Sequence, residues 1–370
     1  MAVNQIYTIV NAASQQAFGT TGLAAVDTQG LIALGNKVLA SNSDTEAFLN
    51  ALTMRIGRTI VRFRMYRNKL SDLVLGDMEW GAILQKLAAK MPTAEADEQY
   101  GLIDGQSVDH YKVAKPEVDQ KLFIVQTPYQ FHVTIQRKLL KTAFLSESGM
   151  NSLISAIFGQ IRNKIETTIE NMGRLNIAAG IAEASSNAGQ VVNLLTDYNT
   201  ASGRSLTAAS ALLDTDFLRY ALRRIKETMD GMTDMSAMYN DGTLDTFTPF
   251  ADQRIRILST FEYALETVVE WAAFNENYVR LSGFSMLNFW QSKQSPMAID
   301  IERPSDGVET AINNIVAVIH DRDTMGVYQE DEEVATTPLN AAALYYNQYY
   351  HVQYNRMLDT SENLVYFTLN

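Results

Sequence analysis

Between Met150 and Met172 the apolar residues return at steps of three and four: Met150, Leu153, Ile154, Ile157, Phe158, Ile161, Ile165, Ile169 and Met172. Arg162, Asn163, Lys164, Glu166 and Glu170 fall on the other side, which is the pattern of an amphipathic helix. Ser148 is placed to cap its start and Gly173 to stop it, giving a rod of about 35 Å at 1.5 Å per residue. A stripe that long must lie on a sheet or another long element to bury itself.

Other stretches follow the strand period of two. Thr59, Val61, Phe63 and Met65 alternate with Arg58, Arg62 and Arg64, with Ile60 as the exception, and predict a half-exposed strand. Lys121–Ile135 reads as strand on both sides of Pro128. Between these, residues 70–120 are polar and broken by Gly76, Gly81, Pro92, Gly101, Gly105 and Pro116. Such a segment predicts a long two-stranded excursion that supplies no core of its own. Residues 1–54 show little sustained periodicity and are expected to form an arm ordered by what it lies against.

Beyond residue 185 the texture alternates. Asp216–Met229 and Phe261–Phe274 read as helices, Arg254–Leu258 as a strand and Ile315–Ile319 as a buried strand, together a compact α/β module. The end of the chain carries two more strands, one rich in tyrosine from Leu344 to Tyr354 and one from Leu364 to Leu369, joined by a polar turn at Asp359–Asn363. In an alternating strand Tyr346, Tyr350, Val352 and Tyr354 share a side, which favours core packing over a carbohydrate or base-stacking platform.

Composition narrows the functional classes. Lys and Arg number 30 against 42 Asp and Glu, a net charge of −12, and charged residues make up 19% of the chain against the roughly 25% usual in soluble proteins. A chain short of surface charge is expected to hide surface against neighbours. Its acidity opposes broad nucleic-acid binding, which needs a basic face. With no cysteine, disulfides, thiolate metal sites and cysteine nucleophiles are excluded. The first residues lack a signal peptide's basic and apolar regions, and no window reaches a membrane span, so a soluble cytosolic protein is expected.

Catalytic motifs are missing. His110, His132, His320 and His351 stand apart from one another without metal-binding spacing and read as packing or surface histidines. Gly30–Val38 imitates a phosphate-binding loop, but Asn36 precedes its lysine and Val38 supplies no hydroxyl. The acidic run Glu330–Glu333 could hold a cation or a basic partner, and reads more simply as a solvated loop. No cofactor is expected.

Two pieces of the chain carry a family resemblance. Leu140-Lys141-Thr142-Ala143-Phe144, leading into the Met150–Met172 helix, and Leu344-Tyr345-Tyr346-Asn347, followed after one residue by Tyr349-Tyr350-His351-Val352, resemble the major capsid proteins of short-tailed phages similar to phi twenty-nine. The resemblance implies an α+β fold of the Hong Kong 97 type, with a long spine helix, a peripheral β-sheet, an axial α/β domain and an extended hairpin loop. Mapped onto this chain, the layout is an N-terminal arm at 1–58, the basic strand and extended hairpin at 59–137 and a peripheral domain with the spine helix at 138–190. An axial domain at 191–333 and the return strands of the peripheral domain at 334–370 complete it. The immunoglobulin-like module of some relatives is not expected, since the chain stops at Asn370.

What the resemblance implies about function is a structural role: a virion protein, assembled in the host cytoplasm, that self-associates as pentamers and hexamers into an icosahedral head. It would work with scaffolding protein and portal and enclose double-stranded DNA without sequence-specific binding. A nanocompartment shell of the encapsulin type and an enzyme with an unrecognised α/β site are the alternatives. Arg55, Arg58, Arg62, Arg64, Arg67 and Lys69 place six positive charges in fifteen residues with no acid among them. A DNA-facing patch, a solvated face and an intersubunit contact compete as explanations. Arginine over lysine favours the intersubunit contact, because guanidinium suits partly desolvated pairs. Arg58, Arg62, Arg64 and Arg67 are therefore the candidate assembly-interface residues, with no catalytic, cofactor-binding or metal-binding residue expected.

Overall fold

The computed structural model describes residues 3–19, 25–58, 66–77, 84–92, 94, 104–105, 111, 113, 115–123, 125–271 and 284–370. In chain order the elements begin with α1 (Val3–Phe18), α2 (Thr28–Val38), α3 (Asn42–Arg58), β1 (Val74–Asp77), β2 (Leu84–Ala89), β3 (Val118–Phe123), β4 (Val125–Gln136), α4 (Arg137–Ala143) and α5 (Glu147–Leu153). One π-helical stretch, Ile154–Gly159, leads into α6 (Gln160–Ala184). Then come β5 (Val191–Asn193), α7 (Leu194–Ser202), α8 (Ala208–Ala211), α9 (Thr215–Gly231), β6 (Gln253–Leu258), α10 (Ser259–Trp271), β7 (Phe284–Leu287), β8 (Ile299–Glu302) and β9 (Glu309–Ile312). β10 (Ile315–Asp321), β11 (Met325–Thr336), β12 (Tyr345–Leu358) and β13 (Leu364–Thr368) complete the chain.

These elements form two compact units, each drawn from separated stretches of sequence. The first comprises Met1–Gly81, Val125–Arg174 and Val327–Arg356. Its sheet runs β1-β11-β12-β4, with β4 antiparallel to β12 from Val125 opposite Arg356 to Gln136 opposite Tyr345. Pro128 is tolerated because β4 is an edge strand, where a missing N–H breaks no second ladder. Tyr346, Tyr350, Val352 and Tyr354 point to one face and are all buried, joined by Ile161, Ile165, Ile169 and Met172 of α6 and by Ile9, Leu31, Leu34, Phe48 and Leu52 from the first three helices. Each such side chain contributes roughly 2 kcal/mol on burial, so the apolar stripe, more than helix propensity, holds α6 in place.

The structure departs from the sequence pattern at three places in this unit. The weakly periodic N-terminal segment is built of three helices. Asp27 caps α2 by accepting from the Gly30 N–H at 2.7 Å, and α1 and α3 pack together in the core. The helical run begins earlier than expected, because Ser146, not Ser148, has the extended backbone of a cap and accepts from the Gly149 N–H at 3.0 Å. Gly173 does not end it. The glycine lies where Leu70 and Leu73 approach so closely that an added Cβ would stand 3.1 Å from Leu70 Cδ1, and α6 continues to Ala184.

The second unit comprises Ala82–Ile124, Leu175–Gly326 and Met357–Asn370. Its five-stranded sheet runs β5-β13-β10-β6-β7, mixing parallel outer pairs with antiparallel inner ones. Every residue of β10 is buried, as its unbroken apolar run predicts, and Leu194, Phe217, Ala221, Ile225 and Phe261 of the helices share a core with Ile255, Ile257, Val316 and Phe367 of the strands. Strand β13 thus joins this sheet, while β12 belongs to the sheet of the first unit. The acidic run Glu330–Glu333, read as a loop, lies within β11. Its described pairing with β1 reaches only Gln329, so Glu332 and Glu333 remain exposed and their charge costs the strand little.

Candidate assembly surfaces

β2 and β3 form an antiparallel hairpin with Leu84 opposite Phe123, Lys86 opposite Lys121 and Ala89 opposite Val118. Period-two alternation gives it two different faces. Gln85, Leu87, Ala89, Val118, Gln120 and Leu122 are exposed and none of them is charged. Leu87 is 63% exposed, Val118 60% and Leu122 51%, so three large apolar side chains share one open face. The half-buried face holds all the charge of the two strands, Lys86, Asp119 and Lys121, alongside Leu84, Ala88 and Phe123.

Under the charged face sits a carboxylate cluster from distant parts of the chain. Lys86 Nζ is paired with Asp359 and Glu362, while Lys121 Nζ lies 3.1 Å from Asp359 Oδ1 and 3.3 Å from Asp241 Oδ2. Asp359 has no exposed side-chain surface and also accepts from Ser361, from its N–H at 3.0 Å and its hydroxyl at 2.7 Å. Burial opposes ionisation of Asp359, but the Lys86 and Ser361 hydrogen bonds and the two lysine charges overcome it and hold the carboxyl below its usual value. Asp241 is likewise held low, its burial outweighed by hydrogen bonds from Thr243 and Thr360 and the charge of Lys121. For Lys86, burial alone would favour the neutral amine, yet its bonds to Asp359 and Glu362 raise it. Glu362 is pushed up by burial and by neighbouring Asp321 and Asp359, which outweigh Lys86, so Asp359 is the principal partner of that lysine. Beside this cluster a cavity of about 340 Å³ is lined by Lys86, Ala88, Met91, Leu244 and Glu362.

The basic segment is seen only at its borders. Arg58 ends α3, Arg67 is exposed, and Arg62 and Arg64, with the expected strand at 59–65, lie outside the described residues. These four are therefore not brought together as one described surface. The chain from Tyr66 to Lys69 is firmly tied: the Tyr66 N–H donates to Asn163 Oδ1 at 2.8 Å, and the Tyr66 hydroxyl donates to Glu170. Arg174 Nη2 bonds Glu170 at 2.7 Å, and the Lys69 N–H donates to it at 3.2 Å. Burial and this contact push the Tyr66 hydroxyl up to about 12. Burial opposes the Glu170 charge, but its three donors and the Arg174 charge hold the carboxyl below its usual range.

The motifs that imitate chemistry have structural roles. Gly30–Val38 lies in α2, a helix and not a phosphate loop, with Gly35 against the Phe144 ring. His132 stacks on Tyr349 at 4.7 Å, and Tyr349 on His351 at 6.3 Å, on the exposed face of the β4–β12 pair. His320 is buried and its Nδ1 contacts the Asp321 carbonyl at 2.7 Å, while His110 lies outside the described residues. Among the described residues no group of three or more His, Cys, Asp or Glu side chains could hold a metal ion, and no helix is long and apolar enough to cross a membrane. Another exposed apolar group, Met235, Met238, Phe247 and Phe250, lies on the 232–252 segment of the second unit.

A spine helix against a peripheral sheet, a mixed sheet with its own helices and a two-stranded hairpin define a phage capsid fold of the Hong Kong 97 type. Similar solved structures include a capsid chain of Staphylococcus phage Andhra, with 11% identity, TM-score 0.52 and 84% of this chain matched to 87% of that one. A chain from a structure of native bacteriophage P68 is similar too, with 10% identity, TM-score 0.54 and the same coverage. The profile of the Phi29-like phage major capsid protein family matches residues 6–368, and the chain belongs to that family. The major capsid protein of Bacillus phage B103 is 24% identical over 95% of this chain and 70% of its own length. That of Bacillus phage PZA is 24% identical over 99% and 74%. The protein is a structural capsid subunit of the virion.

Proposed function

We propose that this subunit assembles as pentamers and hexamers into a closed icosahedral head around double-stranded DNA, in the host cytoplasm, with scaffolding protein and portal as partners and without catalysis of its own. The hairpin serves as the extended loop and residues 191–333 as the axial module. The observation that carries the reading is the uncharged outward face of the hairpin. In a chain of net charge −12, an element that shows Leu87, Val118 and Leu122 to solvent is built to be covered, and closed symmetry supplies an identical cover for every copy. The acidic balance supports enclosure of DNA over tight binding, because a negative shell repels phosphate.

Replacing Leu87 and Leu122 together with Lys tests this. The expected result is a soluble subunit with unchanged circular dichroism that forms no shells by sedimentation or electron microscopy. Normal shells from the double variant would overturn the hairpin's role. Arg58, Arg62, Arg64 and Arg67 enter the same reading as an intersubunit contact. Arg62→Glu with Arg64→Glu should leave the fold intact and block assembly, because like charges would then meet at every copy of the contact. Shells of normal form with only their DNA content altered would place these residues toward the genome instead.

A further inference from the structure

The strand register of the hairpin sets Lys86 directly opposite Lys121 on its inner face. Like charges at directly opposed positions destabilise a two-stranded ribbon, and a hairpin of two six-residue strands is marginal by itself. The pair is compensated from below, where Asp359 reaches both lysines, one with each carboxylate oxygen. Glu362 adds a second contact to Lys86 and Asp241 a second to Lys121. Asp359 is fixed in turn by Ser361, and Asp241 by the Thr360 hydroxyl at 2.6 Å. Turn Asp359–Glu362, with Asp241 beside it, is thus a prepared platform with three carboxylates for two ammonium groups.

Building on the assembly reading of the hairpin, we propose that this two-lysine, three-carboxylate contact is a latch that sets the hairpin's direction in the free subunit, before any neighbour covers its apolar face. The charged residues of the two strands all face inward, where Lys86 and Lys121 have partners, and the outward face carries no charge, which divides the two tasks between the two faces. The latch aims the hairpin, and the outer face does the joining. Without the latch the two opposed ammonium groups are left uncompensated on a marginal two-stranded ribbon, so its ladder opens more readily and its direction is no longer set.

Hydrogen–deuterium exchange on the full-length chain, kept below its assembly concentration, reads the latch directly. In a Lys86→Gln, Lys121→Gln variant the amides of 84–89 and 118–123 should exchange about tenfold faster, while those of β10 and α9 stay unchanged. Lys86→Arg with Lys121→Arg should retain protection, since charge is kept. If the glutamine pair does not fold, Lys121→Gln alone, at a side chain 26% exposed, should give the same local loss at about threefold. Unchanged hairpin exchange in the glutamine variants overturns the latch, whether or not shells form. Shell formation by the Leu87, Leu122 double variant would overturn the assembly reading and leave the latch standing, so the two failures are separable.

Discussion

Asp359 accepts from Lys86, Lys121 and Ser361 while fully buried. Truncating it would leave two opposed lysines without their shared partner. Asp359→Ala should therefore cost about 2 kcal/mol by urea denaturation at neutral pH, the scale for losing charged hydrogen bonds where the lysines are partly exposed and keep Glu362 and Asp241. The pH dependence has a definite sign. Asp359 and Asp241 are held below their usual values, so their contribution is complete above about pH 4, where unfolded Asp ionises, and is lost as pH falls through the lowered folded values. Glu362 is raised and works in the opposite sense, taking up its proton first as pH falls. Wild type should accordingly lose more stability than Asp359→Ala below pH 4, and parallel acid profiles for the two would show that Asp359 is not held low. Gly35 offers a simpler test of packing. An added Cβ would stand 2.5 Å from Phe144 Cβ, so Gly35→Ala should destabilise by about 1–3 kcal/mol, despite alanine's better helix propensity.

At the scale of elements, the spine helix decides whether the first unit folds. Ile161 is 7% exposed among the tyrosines of β12 and the apolar residues of α1–α3, and Ile161→Asp would place an unpaired carboxylate there at a cost of several kcal/mol. Insoluble protein is the expected outcome, and a soluble, assembling variant would remove the assignment. Such stripes are visible in sequence because the 3.6-residue period repeats over many turns, and the inward tyrosines of β12 are equally visible from the period of two. The helices of residues 3–58 are harder to see, since small and polar residues such as Ala13, Ser14, Thr45 and Ala51 stand on their buried faces and blur the contrast between faces. Gly173 looks like a stop because sequence shows the missing side chain without the Leu70 and Leu73 methyl groups that need the space. The hairpin's alternation is present in the chain, but its meaning depends on register. Only pairing reveals that Lys86 meets Lys121, and only the fold brings Asp241, Asp359 and Glu362 beneath them. The arginine-rich segment stands out by local density, whereas the five-charge cluster is dispersed over the sequence and has no local signal at all.

For the whole molecule, the low share of charged residues and the two resembling segments both fit a protein that works by covering and being covered. Both units are discontinuous in sequence: Met357–Asn370 returns to the second unit, and Val125–Arg174 sits in the first between stretches of the second. A map of consecutive segments cannot express that interleaving, since it arises from strand partners chosen across the chain. The assembly we propose makes one demand, that exposed apolar faces such as that of the hairpin find identical neighbours. Electron microscopy of the purified chain, raised in concentration alone and with the scaffolding protein proposed as its partner, tests that demand most directly. Closed shells of uniform size with fivefold and sixfold capsomers are the predicted result. A monomer that stays dispersed under both conditions, with Leu87 and Leu122 still open to solvent, would contradict it.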